Sequence, residues 1–420
     1  MARSLGRSFA GLWFGTGTAN LADGMALFVL PLLAIAVDAS AGGVAAITAA
    51  LTLAWPVFGL HAGWIVDHSD RRALLASVNL GRALVLGGVT GAYLVDVLSL
   101  PLLLAAAILL GVAETLVDTA LTTAVPMVVG RDQRNRANAR IEATVNVTNQ
   151  LAGPPLAGLL AGVTLALATG ASAALYVLTL AGIAAMTLRR SRPSAGEQLD
   201  GAGARTAGVA AGFRYLWRQP VVRTLTLFTA AMNVVWAAAT ALLVVYAVSP
   251  GPLGLSAAQY GLMLTAMAVG GLVASVVVEP LRGRFGVTRL LIADTVGTML
   301  LVAPVALGAG AWAVAAGAVV AGAGSSIWRV LVATIRQNLS PPDLLGRIYA
   351  ASRMISWGVL PVGAALAGVG AELWDVRTVF VAATALAVLI LAVFVPFALR
   401  TDLSAAIDPV EAGPDCRSRV

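Results

Sequence analysis

Charged residues are scarce in this sequence. Asp, Glu, Lys and Arg make up 11% of its 420 residues, whereas 59% are hydrophobic. A soluble domain has about 25% charged residues, so this chain lacks the charges that a water-facing surface requires. Lipid is therefore the expected solvent, and in lipid the backbone must satisfy its hydrogen bonds internally, as helices and closed barrels do. Because the apolar runs lack the alternation of barrel strands, the sequence predicts an all-α membrane protein.

Several residue types that carry chemistry are also rare or missing. The chain has one cysteine, Cys416, which excludes a disulfide, and its two histidines make no metal-ligand pattern. No Walker-type loop or Ser/His/Asp set is recognisable, so we expect neither an enzyme nor a cofactor or metal site. The basic residues are all Arg and lie in short loops beside apolar runs, which argues against nucleic-acid binding.

Twelve apolar runs are each long enough, at about 20 residues or more, for a helix to cross the bilayer. The predicted spans are residues 9–37, 44–66, 73–95, 99–126, 141–168, 171–189, 221–247, 258–280, 287–308, 312–337, 346–370 and 374–398. If the N-terminus is cytoplasmic, the outside loops hold only Arg377, as the positive-inside rule requires. We therefore expect a multi-pass protein of the cell (plasma) membrane with both termini in the cytoplasm and no cleaved signal peptide.

A weak internal repeat divides the spans into two groups of six. Gly111 recurs as Gly322, and the triplet Leu-Ala-Gly at 160–162 recurs at 366–368 with nearly the same separation. Duplicated halves are typical of transporters that alternate access around a site between the halves. The predicted organisation is a six-helix half at 1–190, a cytoplasmic linker at 191–220, a second six-helix half at 221–400 and a cytoplasmic tail at 401–420.

The linker has two parts in this interpretation. Residues 191–208 have the composition of a flexible linker, whereas Phe213, Leu216 and Trp217 then fall on one helical face. The second part is predicted to be a short helix in the cytoplasmic interface, and a solvated loop is the alternative.

Residues 63–72, between the second and third spans, read GWIVDHSDRR. This segment resembles the signature loop of the major facilitator superfamily, with His68 and Asp70 in place of its Arg and Gly. The variant is similar to the branch that contains enterobactin-type and macrolide-type exporters and many actinobacterial efflux proteins. The resemblance implies twelve helices in two pseudo-symmetric halves, transport of a small molecule, and a monomer.

The same loop predicts a cytoplasmic gate formed by Gly63, Asp67, Arg71, Arg72 and Asp118. Asp67 lies at a helix end, where it could accept from the N-terminal amides of helices in the other half. The arginines could pair with acids on adjacent helices, although they could also act only as topology signals. For Asp118 a structural pairing with arginines near Arg71 is the favoured interpretation.

Gly153, Pro154 and Gly158 in the fifth span resemble the Gly-Pro motif that marks antiporters in this superfamily. Asn149 stands where that motif has its first glycine. Small residues allow helices to approach closely and Pro bends a helix, so plain packing is the alternative to an antiporter function.

Asp23 is the best candidate for a proton carrier or a substrate contact. It lies near the middle of the first span, with Asn20 on the same helical face. Ionisable residues within a membrane are expensive and are functional hypotheses by default; a structural acid is the alternative. Glu114 is the second coupling candidate, because Ala107 occupies the position of the arginine that members of the superfamily often use in proton movement.

Other polar residues within the spans are assigned by helical spacing. Those predicted to line a central cavity are Glu142, Asn146, Asn149, Asn233, Trp236 and Arg329. Those assigned to cytoplasmic helix ends and structural roles are Arg82, Glu279, Asp294 and Arg353.

The predicted function is proton-coupled efflux, by antiport, of amphipathic small molecules such as drugs, antibiotics or siderophores. Its expected partners are the substrate, protons and the lipid bilayer. An importer or a lysolipid flippase on the same fold is the close alternative, and a non-transporting receptor is a third.

Overall fold

Helices make up nearly all of the backbone in a computed structural model of the chain, which describes residues 5–130, 133–186, 202–341 and 344–407. Some sequence predictions concern residues outside these ranges, namely linker residues 191–201, tail residues 408–420 with Cys416, and the loop arginines Arg131 and Arg189. Within the described ranges no β-strand is present.

The helices are numbered in chain order. They are α1 (Arg7–Ala36), α2 (Ala41–His68), α3 (Arg71–Leu94), α4 (Leu100–Val128), α5 (Arg134–Val145), a π-helical segment (Asn146–Ala152), α6 (Gly153–Ala161), α7 (Leu165–Ala184), α8 (Ala202–Arg218), α9 (Pro220–Ala247), α10 (Ala257–Phe285), α11 (Val287–Ala306), α12 (Ala311–Leu339), α13 (Leu345–Gly358), α14 (Leu360–Leu373) and α15 (Val376–Arg400). Eleven stretches in the described ranges are long and apolar enough to cross a membrane. The predicted all-α membrane fold is confirmed.

The predicted boundary between the fifth and sixth spans is wrong. The fifth run consists of α5, the π-helical segment and α6, and it ends at Ala161 instead of residue 168. The next helix begins at Leu165, where the hydroxyl of Thr164 accepts a hydrogen bond of 3.0 Å from the amide of Leu167. This N-cap satisfies a free helix amide and so sets the start of α7. The π-helical segment divides the fifth run into pieces that are each too short to cross a membrane. This division explains why eleven spanning stretches are found instead of twelve.

One compact unit comprises Met1–Arg192 and Ala241–Thr265. In it α1 packs along α7, α2 packs along α4, and α3 contacts both α4 and α7. An apolar cluster that includes Phe9, Leu12, Ile141 and Met186 fills one end of the unit. This packing brings polar side chains of α1, α3, α4 and α7 into one interior.

The second compact unit comprises Pro193–Thr240 and Ala266–Val420. In it α11 packs against α12 and α15. Phe394 contacts Phe228 and Trp328, with ring centroids 4.9 and 5.3 Å apart respectively. The indole of Trp328 donates a hydrogen bond of 2.9 Å to the Thr229 hydroxyl, so this aromatic cluster has its polar group satisfied.

The helix α8 is longer than the sequence predicted. It begins at Ala202, so the prediction of a flexible linker is wrong for residues 202–208, where alanine favours a helix. Phe213 and Leu216 pack on Ile348 of α13, whereas Trp217 is exposed. The hydroxyl of Tyr215 donates to the carbonyl of Leu339. These contacts tie α8 to the second unit.

Candidate functional site

Asp23 of α1 is bound by two buried side chains. The Nη1 of Arg82 in α3 lies 3.1 Å from one carboxylate oxygen and 3.2 Å from the other. The hydroxyl of Tyr176 in α7 donates a hydrogen bond of 2.6 Å to the first oxygen. The side chain of Arg82 is 1% exposed and that of Asp23 is 12% exposed. Asp23 and Arg82 therefore form a nearly enclosed ion pair between α1 and α3, and the hydrogen bond from Tyr176 adds α7 to it.

Arg82 is only partly satisfied by this pair. Its Nε and Nη2 atoms are buried without a hydrogen-bond partner among the described residues. Its guanidinium also lies over the Tyr176 ring, with Cζ 5.4 Å from the centroid, a favourable cation–π geometry. The carboxyl groups of Glu114 and Asp118 on α4 are also close enough to interact with it electrostatically. Arg82 thus has one bonded carboxylate and further carboxylates within electrostatic range.

A close helix crossing lies directly beside Asp23. A Cβ on Gly24 would collide with the backbone carbonyl of Asn149, and one on Gly153 would lie 2.9 Å from the backbone of Gly24. Asn149 belongs to the π-helical segment, and such segments occur frequently at functional sites. The predicted antiporter-like residues Gly153, Pro154 and Gly158 are all buried in this region, so the motif and Asp23 are neighbours.

Glu142, Asn146 and Asn149 recur at helical spacing in the fifth predicted span and so form a polar stripe. The structure places them, and the candidate Asn20 of α1, in different surroundings. Asn20 is half-buried, and its amide donates a hydrogen bond of 3.0 Å to the carbonyl of Thr16 in its own helix. Glu142 is exposed, whereas Asn146 and Asn149 are half-buried in the π-helical segment. The stripe is therefore continuous along the chain but changes its helical form between α5 and α6.

Two of the predicted gate residues, Asp67 and Arg71, contact each other. The Arg71 guanidinium lies 3.5 Å from the carboxylate of Asp67, which is exposed. Asp70 caps α3 by accepting from the amide of Ala73 at 2.8 Å. Gly63 is half-buried, and a Cβ there would meet no atom within 4 Å.

Arg72 binds backbone oxygens in the described structure. Its Nε and Nη2 donate to the carbonyls of Ile183 and Ala184 at 3.1 and 2.6 Å. These are the last carbonyls of α7, which have no partner within the helix, so Arg72 acts as a C-cap of α7. Asp118, expected near these arginines, is exposed on α4.

The candidate residues of the second unit are dispersed. The amide of Asn233 donates a hydrogen bond of 2.5 Å to the carbonyl of Ser356, and Trp236 is half-buried. Arg329 is exposed on α12. This unit also has a cavity of about 370 Å³ whose almost entirely apolar walls include Val234, Ala238, Leu366, Trp374 and Leu386, and Asn233, Trp236 and Arg329 do not line it.

Sequence reasoning missed Arg82 and Tyr176. Arg82 was assigned to a cytoplasmic helix end, but it lies midway along α3 and is fully buried, so that assignment is wrong. Arg82 lies between apolar runs in the sequence, and this position could have indicated that it is buried. Tyr176 gave no such indication, because a tyrosine is common in apolar spans and its donor becomes relevant only when α1 and α7 are adjacent.

Metal-binding chemistry has no visible basis in the part of the chain that the structure describes. No group of three or more His, Cys, Asp or Glu side chains is placed there to hold a metal ion.

Comparison with known families decides the class of protein. The sequence profile described as transmembrane secretion effector (MFS_3) matches residues 5–416, almost the entire chain. The chain belongs to this family. The chain is thus a multi-pass membrane transporter of the major facilitator type, whereas the narrower branch of enterobactin-type and macrolide-type exporters stays a prediction.

Solved structures similar to this chain are also transporters. The nucleoside transporter NupG aligns with a TM-score of 0.75 at 12% identity, covering 94% of this chain and 100% of that one. A bacterial homologue of the iron transporter ferroportin, in an inward-facing state, aligns with a TM-score of 0.70 at 16% identity, covering 94% and 100%. At such low identity the similarity concerns the fold. A search of curated protein sequences finds no match.

Proposed function

We propose that this secretion effector exports amphipathic small molecules in exchange for protons, and that Asp23 carries the coupled proton. The family description supports outward transport, because secretion moves material out of the cell. The observation that carries the coupling proposal is the enclosed Asp23–Arg82 ion pair with its third member, Tyr176.

Protonation of Asp23 would remove the negative charge that compensates Arg82. The carboxylate now compensates a guanidinium that is 1% exposed, and an uncompensated buried charge is strongly unfavourable. When a proton neutralises Asp23, Arg82 loses its bonded counter-charge and the arrangement of α1 and α3 is no longer the most favourable one. One protonation step is thereby linked to a conformational step, as antiport requires.

Glu114 is proposed as the alternative partner of Arg82. Its carboxyl group is close enough to interact electrostatically with the guanidinium, whose Nε and Nη2 have no hydrogen-bond partner among the described residues. These two N–H groups lie on the same side of the guanidinium, where they could donate two parallel hydrogen bonds to a carboxylate. Arg82 would turn to Glu114 when Asp23 takes up a proton and return when Asp23 releases that proton.

The substrate class rests on the apolar character of the available space. The cavity of about 370 Å³ in the second unit has almost entirely apolar walls, and small-molecule sites are commonly apolar with few polar groups. We therefore propose drugs, antibiotics or siderophores with large apolar surfaces as substrates. Asn233 and Trp236 do not line this cavity, and their proposed contact with substrate rests on their place in the seventh predicted span.

The test is substrate-dependent proton movement in inside-out membrane vesicles whose lumen has been acidified. Cationic dyes and macrolides are added to vesicles with the wild type, with Asp23→Asn, or with the control Asp38→Asn. Asp38 is exposed and has a φ of 55°, a conformation that asparagine tolerates. We expect protons to leave the lumen on substrate addition with the wild type and the control, and not with Asp23→Asn.

Three other outcomes would contradict parts of the proposal. Undiminished antiport in Asp23→Asn would make Asp23 structural and move the coupling role to Glu114. Flux in the opposite direction would indicate an importer. Selective movement of a fluorescent lysolipid between leaflets, with no dye or macrolide transport, would indicate a flippase.

We also propose a monomer in the plasma membrane with both termini in the cytoplasm. The single cysteine of the chain, Cys416, makes the orientation testable without mutagenesis. A membrane-impermeant maleimide should label it in inside-out vesicles and not in intact cells, and the reverse pattern would invert the topology.

A further inference from the structure

Asp294 is a buried carboxyl group for which the exporter proposal has no role. It lies in the first half of α11 and is 2% exposed. Its Oδ1 atom is buried and has no hydrogen-bond partner among the described residues. The ion pairs found in those residues do not include Asp294. Its surroundings therefore differ from those of Asp23, which has both a cation and a hydroxyl donor.

The carboxyl group occupies space that a glycine leaves open. A Cβ on Gly324 of α12 would lie 2.5 Å from Oδ1 and 3.0 Å from the Cα of Asp294. Any larger residue at 324 would displace the carboxyl group. The packing of α11 on α12 thus accommodates this side chain while excluding solvent from it.

The hydroxyl groups near Asp294 donate elsewhere. The hydroxyl of Thr295 donates to the carbonyl of Ile292 at 2.7 Å, and that of Thr298 points to the sulfur of Met232 at 3.7 Å.

Cations do not compensate Asp294 either. The charged residues on α11 and on the helices packed against it are Arg289, Arg329, Arg336, Arg377 and Arg400. Arg289, Arg329 and Arg400 are exposed, Arg336 lies over the ring of Tyr349, and Arg377 donates to the carbonyl of Ala306. Burial is the main effect acting on Asp294, with no charged neighbour contributing noticeably.

An ionised carboxylate that is 2% exposed, with an Oδ1 that has no hydrogen-bond partner among the described residues, would be poorly stabilised, and a buried group of this kind takes up a proton instead. We propose that Asp294 is a second proton-binding site, in the second unit, which holds a proton in this conformation. It would release that proton to water only when α11 and α12 separate enough to admit solvent. The inference does not depend on the exporter proposal, since it concerns a proton bound without substrate.

The first experiment uses N,N′-dicyclohexylcarbodiimide, which reacts with protonated carboxyl groups in apolar surroundings. The purified full-length chain is treated at about pH 8, far above the ordinary aspartate pKa of about 3.9, and labelled peptides are identified by mass spectrometry. We expect label on Asp294 and none on the exposed carboxylate of Glu279, whose side chain is 71% exposed. Asp294→Asn should lose the label completely, and Asp23→Asn should keep it.

Infrared difference spectroscopy provides the deciding measurement, because it needs no reagent to enter the site. The carbonyl band of a protonated carboxylic acid should be present at the same pH in a background that carries both Asp23→Asn and Glu114→Gln, and absent after Asp294→Asn is added. If the band does not change on removal of Asp294, the carboxyl group is ionised and the proposal is wrong. Failure of proton antiport in vesicles would leave this band unaffected, so the two proposals can fail separately.

Discussion

The Asp23–Arg82 pair allows a quantitative prediction about stability. Asp23→Asn keeps an oxygen that can accept from Arg82 and Tyr176, but it removes the charge that compensates a guanidinium which is 1% exposed. Breaking a buried pair in this way costs about 3–5 kcal/mol. Because the hydrogen bonds can persist and Asp23 is itself 12% exposed, we expect the lower end, about 3 kcal/mol.

The double variant Asp23→Asn/Arg82→Met provides the internal check. Methionine retains much of the apolar stem of arginine and removes the charge, and replacing a buried ion pair by apolar groups is often neutral. We therefore expect the double variant to recover about 2 kcal/mol or more relative to Asp23→Asn alone, although its proton coupling is lost. The control Asp38→Asn should stay within about 0.5 kcal/mol of the wild type.

Reversible unfolding in mixed micelles, followed by tryptophan fluorescence and helical circular dichroism, measures these differences. The reasoning is refuted if the effects of Asp23→Asn and Arg82→Met add within about 0.5 kcal/mol, since additivity means that the two side chains do not interact energetically. It is also refuted if Asp23→Asn has wild-type stability.

Three further predictions follow from particular contacts. Gly24→Ala should destabilise the protein by about 1–3 kcal/mol and impair transport, because its Cβ would collide with the Asn149 carbonyl, whereas Gly59→Ala meets no atom within 4 Å and should be silent in the same thermal-unfolding and flux assays. Arg72→Lys should cost about 1 kcal/mol in unfolding measurements, because one ammonium cannot reproduce both carbonyl contacts at the end of α7; equal stability would contradict this. A hydroxyl and amides in the first turn of α15 donate to Asp375 and lower its pKa, so the stability that it contributes should be lost as the pH falls below about 4. Asp375→Asn should remove that acid dependence while keeping the cap, and an unchanged pH profile would contradict the assignment.

Most helices could be predicted from the sequence because hydropathy reports directly on length and solvent. The predicted span 221–247 corresponds to α9 at Pro220–Ala247, and 312–337 corresponds to α12 at Ala311–Leu339. The prediction failed at the fifth and sixth spans, where the cap at Thr164 and the π-helical segment set boundaries that an apolar run does not reveal. Local hydrogen bonding decided these helix ends.

The candidate site was predictable in part. Asp23 stood out because an acid within an apolar run is unusual. Arg82 carried the same signal, but its depth was misjudged. Tyr176 could not have been selected, since its role depends on a hydrogen bond between helices that are far apart in the chain.

Composition and the length of the apolar runs by themselves determined that this protein is an α-helical membrane protein, because a bilayer admits few backbone solutions. The signature loop at residues 63–72 added the superfamily. Only the tertiary structure decided which charges meet. Hydropathy specifies that a helix lies in the membrane, but its rotation and neighbours are set by interhelical packing at positions such as Gly24 and Gly324. That packing gives Asp23 a cation and leaves Asp294 with none.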